Sequence, residues 1–179
     1  PEYLLGIPGD KKSAIVDLAD DKTVEYLTKY IGDIVEKNGV DHLTLDFNCE
    51  GLDKVWAATD AEDRLGITEM RYVTGLYKLW DGLAKRFPSA RFSLSATDGS
   101  RIDLESVSRG ITLFTDGGYE PEAAQSRIYG LNLFLPLAGF SCGTPAAYDA
   151  RSMYSSSFSA DWSVFALGTD SEMMRMRMS

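Results

Sequence analysis

The chain has 179 residues, a length that suits one domain of ordinary size. Its composition, 44% hydrophobic and 25% charged, is that of a globular protein, and a net charge of −9 argues against a nucleic-acid partner, which would need a basic footprint. No apolar run approaches the roughly 20 residues that span a bilayer, and Cys49 and Cys142 are too few for a disulfide scaffold.

In chain order, "AIVDL" at 14–18 reads as a short strand. Asp20 and Asp21 then offer N-caps to a helix carrying Val24, Leu27, Ile31, Ile34 and Val35 on one face, and Gly39 closes it. A second strand spans 41–47, and the polar stretch "NCEGLDKVWAATDAEDRLG" reads as a loop. The strongest periodicity lies over 67–87, where Val73, Leu76, Tyr77, Trp80, Leu83, Ala84 and Phe87 recur at helical spacing before Pro88. That stripe is read as core packing, with no ligand. Strand 90–96, a short helix over 103–109, strand 111–115 and a helix from Pro121 to about 134 complete the alternation. The serine-rich stretch 152–160 and the methionine-rich end are not assigned, which divides the chain into 1–150 and a poorly defined 151–179.

Alternating strands and helices indicate parallel βα units, so the fold class is α/β. A doubly wound sheet and a (β/α)8 barrel both fit. There is no GxGxxG after the first strand and no GxxxxGK[ST], which weakens the nucleotide-binding folds. A whole barrel takes about 250 residues, so a TIM-type barrel here would be a partial one of about four or five units.

Ligands of parallel α/β folds bind beyond the carboxyl ends of the strands. Here one strand ends in Asp46-Phe47-Asn48, the next leads through Ser95 to Arg101, and the third ends in Thr115-Asp116. Asp46 and Asp116 would face one cavity from strands separated by a single neighbour. A carboxylate pair is the minimum equipment for glycoside cleavage, one attacking the anomeric carbon and one protonating the leaving oxygen. His42 is the single histidine; it forms no zinc site with the cysteines at a recognisable spacing and leaves carboxylates as the natural acid–base groups. Strand-end aspartates also commonly cap turns and helices, and for Asp60, Asp63, Asp98 and Asp103 the capping or solvated reading is kept.

The text of 62–116 carries a more specific signal. "DRLGITEMRYVTGLYKLWDGL", "SATDGSRIDLESVSRG" and "LFTD", preceded by "LDFN" and followed by "RIYGLNLFLP", resemble in order the catalytic barrel of melibiase-type α-galactosidases, glycoside hydrolase family thirty-six. The resemblance covers about residues 14–145. It implies a retaining mechanism with Asp46 as nucleophile and Asp116 as general acid/base. It also implies substrate contacts from Asn48, Ser95, Gly99, Arg101 and Phe114, with no metal and no cofactor. The implied partner is an α-galactoside or related oligosaccharide, with no nucleic acid and no membrane, and with room for an oligomer of the full-length parent. The compartment stays open, the cytoplasm being favoured over secretion.

Several positions depart from the family pattern. Thr44 and Leu45 stand where Lys-Trp usually precedes the nucleophile, Ser95 replaces a cysteine, Asp98 a glycine, and Phe114 a tryptophan. The family's paired aspartates on an earlier strand have no counterpart. These changes keep open a related α-glycosidase, a raffinose-synthase-like galactosyl transferase, and a diverged non-catalytic carbohydrate-binding remnant. A partial barrel would expose sheet edges, so this piece is expected to be inactive or poorly folded by itself.

Overall fold

The computed structural model describes residues 3–46, 51–95, 103–115, 120–133, 135, 138–142, 147–155 and 157–160. They belong to two compact units, Pro1–Leu43 with Asn48–Arg91, and Thr44–Phe47 with Phe92–Ser179.

The first unit opens with a hairpin where the sequence suggested one strand of a parallel unit. β1 (Leu4–Ile7) and β2 (Asp10–Val16) pair antiparallel, Leu4 opposite Val16 and Leu5 opposite Ile15, as a separate two-stranded sheet. Gly9 turns the chain between them at φ 87°, a conformation that glycine enters without a Cβ clash. The charged start of β2, Asp10-Lys11-Lys12, is what hid the strand, since such residues are depleted from strands.

α1 (Asp21–Asn38) is capped as expected. Asp20 accepts hydrogen bonds from the Thr23 amide at 3.1 Å and its hydroxyl at 3.0 Å, and Gly39 closes the helix at φ 62°. Val24 and Val35 are buried, Leu27 and Ile31 half-buried, but Ile34 is 43% exposed and leaves the expected face.

The expected loop after residue 48 contains α2 (Leu52–Thr59) and a 3-10 turn at Glu62–Arg64. α2 buries Val55 and Trp56, whose ring lies 5.2 Å from that of Tyr72. Eight residues with one buried pair give too little periodicity to read, and no side chain caps the helix start at Gly51.

α3 (Ile67–Arg86) matches its prediction closely. Its buried stripe is Tyr72, Leu76, Leu79, Trp80 and Leu83, with Val73, Tyr77 and Ala84 at its margins. Asp60 holds the start of the helix, accepting from the Gly66 amide at 2.7 Å, the Thr68 amide at 3.1 Å and the Thr68 hydroxyl at 2.6 Å. α1 and α3 run side by side in the same direction. Leu18 meets Gly75, Thr28 meets Gly82, and Gly32 meets Arg86, three levels that climb together along both helices. Exposed ion pairs, Lys78 with Asp21 at 2.6 Å and Arg86 with Asp33 at 3.0 Å, follow the same order and add little energy.

The second unit is built on a five-stranded sheet. β3 (His42–Leu45), β4 (Arg91–Ser95), β5 (Thr112–Thr115), β6 (Ala138–Cys142) and β7 (Ser157–Ala160) lie in chain order, and β4 to β7 pair parallel. Sequential order is the barrel arrangement; a doubly wound sheet reverses its order at a switch point. α4 (Leu104–Ser108), α5 (Pro121–Asn132) and α6 (Ala147–Ser152) provide the returns between β4 and β7. Pro121 occupies the first turn of α5, as expected. β6, α6 and β7 were not read from the sequence, and part of the unassigned serine-rich stretch is the fifth strand.

Two outcomes follow from the first unit. A Cβ at Gly75 would lie 1.8 Å from the Leu18 carbonyl oxygen, so Gly75→Ala forces backbone apart and should destabilise by about 1–3 kcal/mol or more, read as a lowered denaturation midpoint. Gly130→Ala is the control: nothing lies within 4 Å of its Cβ position, and the better helix propensity should leave stability unchanged or raised by up to about 1 kcal/mol. The Thr68 hydroxyl, with the Gly66 and Thr68 amides, holds the Asp60 carboxyl below its ordinary value. A carboxyl depressed in the folded state adds stability that is full above its ordinary pKa and lost as pH falls through the folded value. The thermal midpoint of Asp60→Asn should therefore fall below that of the parent at neutral pH, with the gap closing below about pH 4.

Candidate active site

Strand geometry decides which side chains can meet. β3 runs the same way as β4, because the Arg91 amide donates to the Asp41 carbonyl at 2.8 Å and, further along both strands, Thr44 Oγ1 meets Ser93 Oγ at 2.7 Å. All five strands therefore finish at one edge. Leu45 ends β3, Ser95 ends β4 and Thr115 ends β5, with Asp46 the first residue past β3.

Side chains alternate across each strand, so two faces separate cleanly. Ser93 stands opposite Thr112 and Ser95 opposite Phe114 in the β4–β5 register. The Thr44–Ser93 hydrogen bond puts Thr44 on the same face, and alternation carries Asp46, two residues on, to that face as well. The opposite face holds Leu43, Leu45, Phe92, Leu94, Ile111 and Leu113, the last four of them buried. One face is thus apolar and the other bears hydroxyls, ending at the strand edge in Asp46.

Of the residues singled out from the sequence, the structure describes three. Asp46 is exposed at the end of β3, Ser95 is half-buried at the end of β4, and the Phe114 backbone is paired one strand further on. Asn48, Gly99, Arg101 and Asp116 lie outside the described residues, as does Asp98. The strands that lead to Asp46 and Asp116 are β3 and β5, with β4 alone between them. His42 begins β3 and is exposed. Among the described residues no group of three or more His, Cys, Asp or Glu side chains is placed to hold a metal ion, and no helix is long and apolar enough to cross a membrane.

Sequence reasoning left out Ser93. It is fully buried, and its alternation with Ser95 in "RFSLS" was the available signal, since a serine inside a strand core needs a polar partner. The aspartates given a capping reading keep it where they are described. Asp103 accepts from the Ser106 amide and hydroxyl, both at 2.8 Å, and starts α4. Asp63 is an exposed side chain 4.0 Å from Arg64. An open cleft along α1 and α3, bordered by Asp21, Lys29, Lys78 and Arg86, includes no strand residue.

Comparison with known proteins bears on this arrangement. A family model described as Melibiase matches residues 8–142. Alpha-galactosidase 1 of Pediococcus pentosaceus is 23% identical over 143 residues, 77% of this chain and 19% of the relative. Alpha-galactosidase AgaA of Geobacillus stearothermophilus is 20% identical over 143 residues, again 77% of this chain and 20% of the relative. The chain thus spans about a fifth of the length of these curated relatives. Among solved structures, an AgaA variant bound to raffinose superposes with a TM-score of 0.75 at 18% identity, covering 99% of this chain and 27% of that one. The α-galactosidase of Lactobacillus brevis gives a TM-score of 0.76 at 16% identity, covering 99% and 26%. The fold is therefore that of part of a GH36 TIM barrel. The raffinose complex and a stachyose complex of AgaA were each made with a variant in which one aspartate is replaced, and those two aspartates are seventy positions apart.

Capping and chemistry predict different losses at the aspartates. Asp103→Ala should remove the α4 cap and cost about 0.5–2 kcal/mol of stability. A denaturation curve beside that of the parent will show the loss.

Proposed function

This chain belongs to the melibiase family, and we propose that it supplies the reacting carboxylates of a retaining glycoside hydrolase that cleaves terminal α-galactosides. The strand order carries the reading. Asp46 leaves β3 on the hydroxyl-bearing face, β4 separates it from β5, and alternation continued two residues past Phe114 would bring Asp116 out on that face. Neighbouring strands are about 4.8 Å apart, so side chains leaning inward from β3 and β5 can close a gap of roughly 10 Å to the 5–5.5 Å of a retaining pair. The separation of Asp46 and Asp116 is also seventy positions, the same as between the two replaced aspartates of the AgaA sugar complexes.

The chemistry needs two carboxyl groups in different protonation states. Ionised Asp46 attacks the anomeric carbon and forms a glycosyl ester as the glycosidic C–O bond breaks. The leaving oxygen takes the proton of Asp116. Asp116, now a carboxylate, removes a proton from water; the water oxygen attacks the anomeric carbon, and the ester bond breaks to release Asp46. Two inversions restore the starting configuration. Asn48, Ser95, Gly99, Arg101 and Phe114 are assigned to the galactoside around this centre. Raffinose and stachyose, bound by AgaA, indicate the oligosaccharide class to try as substrates.

With the full-length protein and an aryl α-galactoside, Asp46→Ala should lower kcat by about a thousandfold or more. Asp116→Ala should lower kcat/KM by about 10²–10⁴-fold on a poor leaving group and much less on an activated one that needs no proton. The first sugar released, followed by proton NMR, should be the α-anomer. Undiminished activity in Asp46→Ala, or release of the β-anomer, overturns the assignment. Sugar binding with no hydrolysis by the parent protein would favour the non-catalytic reading.

A further inference from the structure

We propose that Thr44 is a positioning residue for Asp46, acting through its hydrogen bond to Ser93; this rests on Asp46 being the nucleophile. Four observations converge on the pair. Thr44 Oγ1 and Ser93 Oγ are 2.7 Å apart, on adjacent strands. Ser93 is fully buried, so its hydroxyl is a fixed anchor. Thr44 precedes Asp46 by two residues, hence shares its face, one step below it. β3 is only four residues long, first in the described strand order, and Asp46 lies just past its last residue.

Strand ends open more readily than strand middles, because fewer ladder bonds must break to release them. A carboxylate carried at such an end shares that motion, and a tie on the strand below it limits it. The Thr44–Ser93 bond is such a tie: it joins β3 to the most buried part of β4 on the reacting face. Its role is therefore orientation of Asp46, with no contact to the reacting atoms required.

The test uses the full-length protein and an aryl α-galactoside with an activated leaving group, so that proton donation drops out of the first step. Thr44→Val keeps the side-chain shape and removes the hydroxyl; Thr44→Ser keeps the hydroxyl. Thr44→Val should lower kcat by about 10- to 100-fold, the scale of a misplacement near 1 Å, with KM within about twofold. Thr44→Ser should stay within about threefold of the parent, and Ser93→Ala should resemble Thr44→Val. The deciding measurement is made in Asp46→Gly, with azide in place of the carboxylate. A terminal azide nitrogen bonds to the anomeric carbon as the aryl oxide leaves with the C–O bonding pair, giving the β-glycosyl azide.

In that background Thr44→Val should change the azide-rescued rate by less than about twofold, since the group it positions is gone. An equal fall in the rescued rate would overturn the proposal, as would an unchanged kcat in Thr44→Val alone. Failure of azide to rescue Asp46→Gly overturns the nucleophile reading itself, a result distinct from either. Should Thr44→Val fold poorly, the Thr44→Ser and Ser93→Ala pair gives the same decision: equal kcat in both overturns the proposal.

Discussion

Two parallel strands can pair only if the chain travels back to the starting end between them. That requirement shapes the second unit from β4 onward. α4, α5 and α6 carry out the return, and the strands consequently finish at one edge. Because the strands are parallel, their last residues line the same rim. Asp46 stands on that rim because β3 ends there, and β5 ends on it two strands away.

The same constraint explains the division between faces. In β4, which lies between β3 and β5, Phe92, Ser93 and Leu94 are all buried. Apolar burial of Phe92 and Leu94 is favourable without further conditions, at about 25 cal/mol per Å². Ser93 is different, because a buried hydroxyl needs a hydrogen-bond partner. Thr44 meets that need from the neighbouring strand. Thr44 is itself exposed, and it lies one step below Asp46 on the same face.

Packing in the first unit turns on small residues more than on large ones. α1 and α3 approach each other where Gly32, Gly75 and Gly82 remove the side chain that would hold them apart. Trp80 and Leu83, both fully buried, then fill the stripe between those glycine levels. The hairpin β1–β2 belongs to this unit and stands outside the parallel sheet.

Much of this was legible in the sequence, and the division has a physical basis. Local signals report on local structure. The 20-residue α3 shows its period because five turns repeat it, and Asp20, Gly39, Asp103 and Pro121 mark helix ends by hydrogen bonds or dihedral limits that act within a few residues. Asp46 and Asp116 were marked as strand-end acids, and the family text around them gave them roles. The short elements were not legible: α2 has one buried pair, β2 begins with charges, and β6 and β7 lie in small and polar residues. Strand order could not be read either, because pairing across 49 residues, as between Thr44 and Ser93, leaves no periodic trace in the chain. The sequence alone therefore determined α1, α3, α4 and α5, the residues that mark their ends and the candidate acids, whereas tertiary structure decided the barrel order over the doubly wound one. It also placed Asp46 above a buried serine, because only the folded sheet brings those two strands side by side.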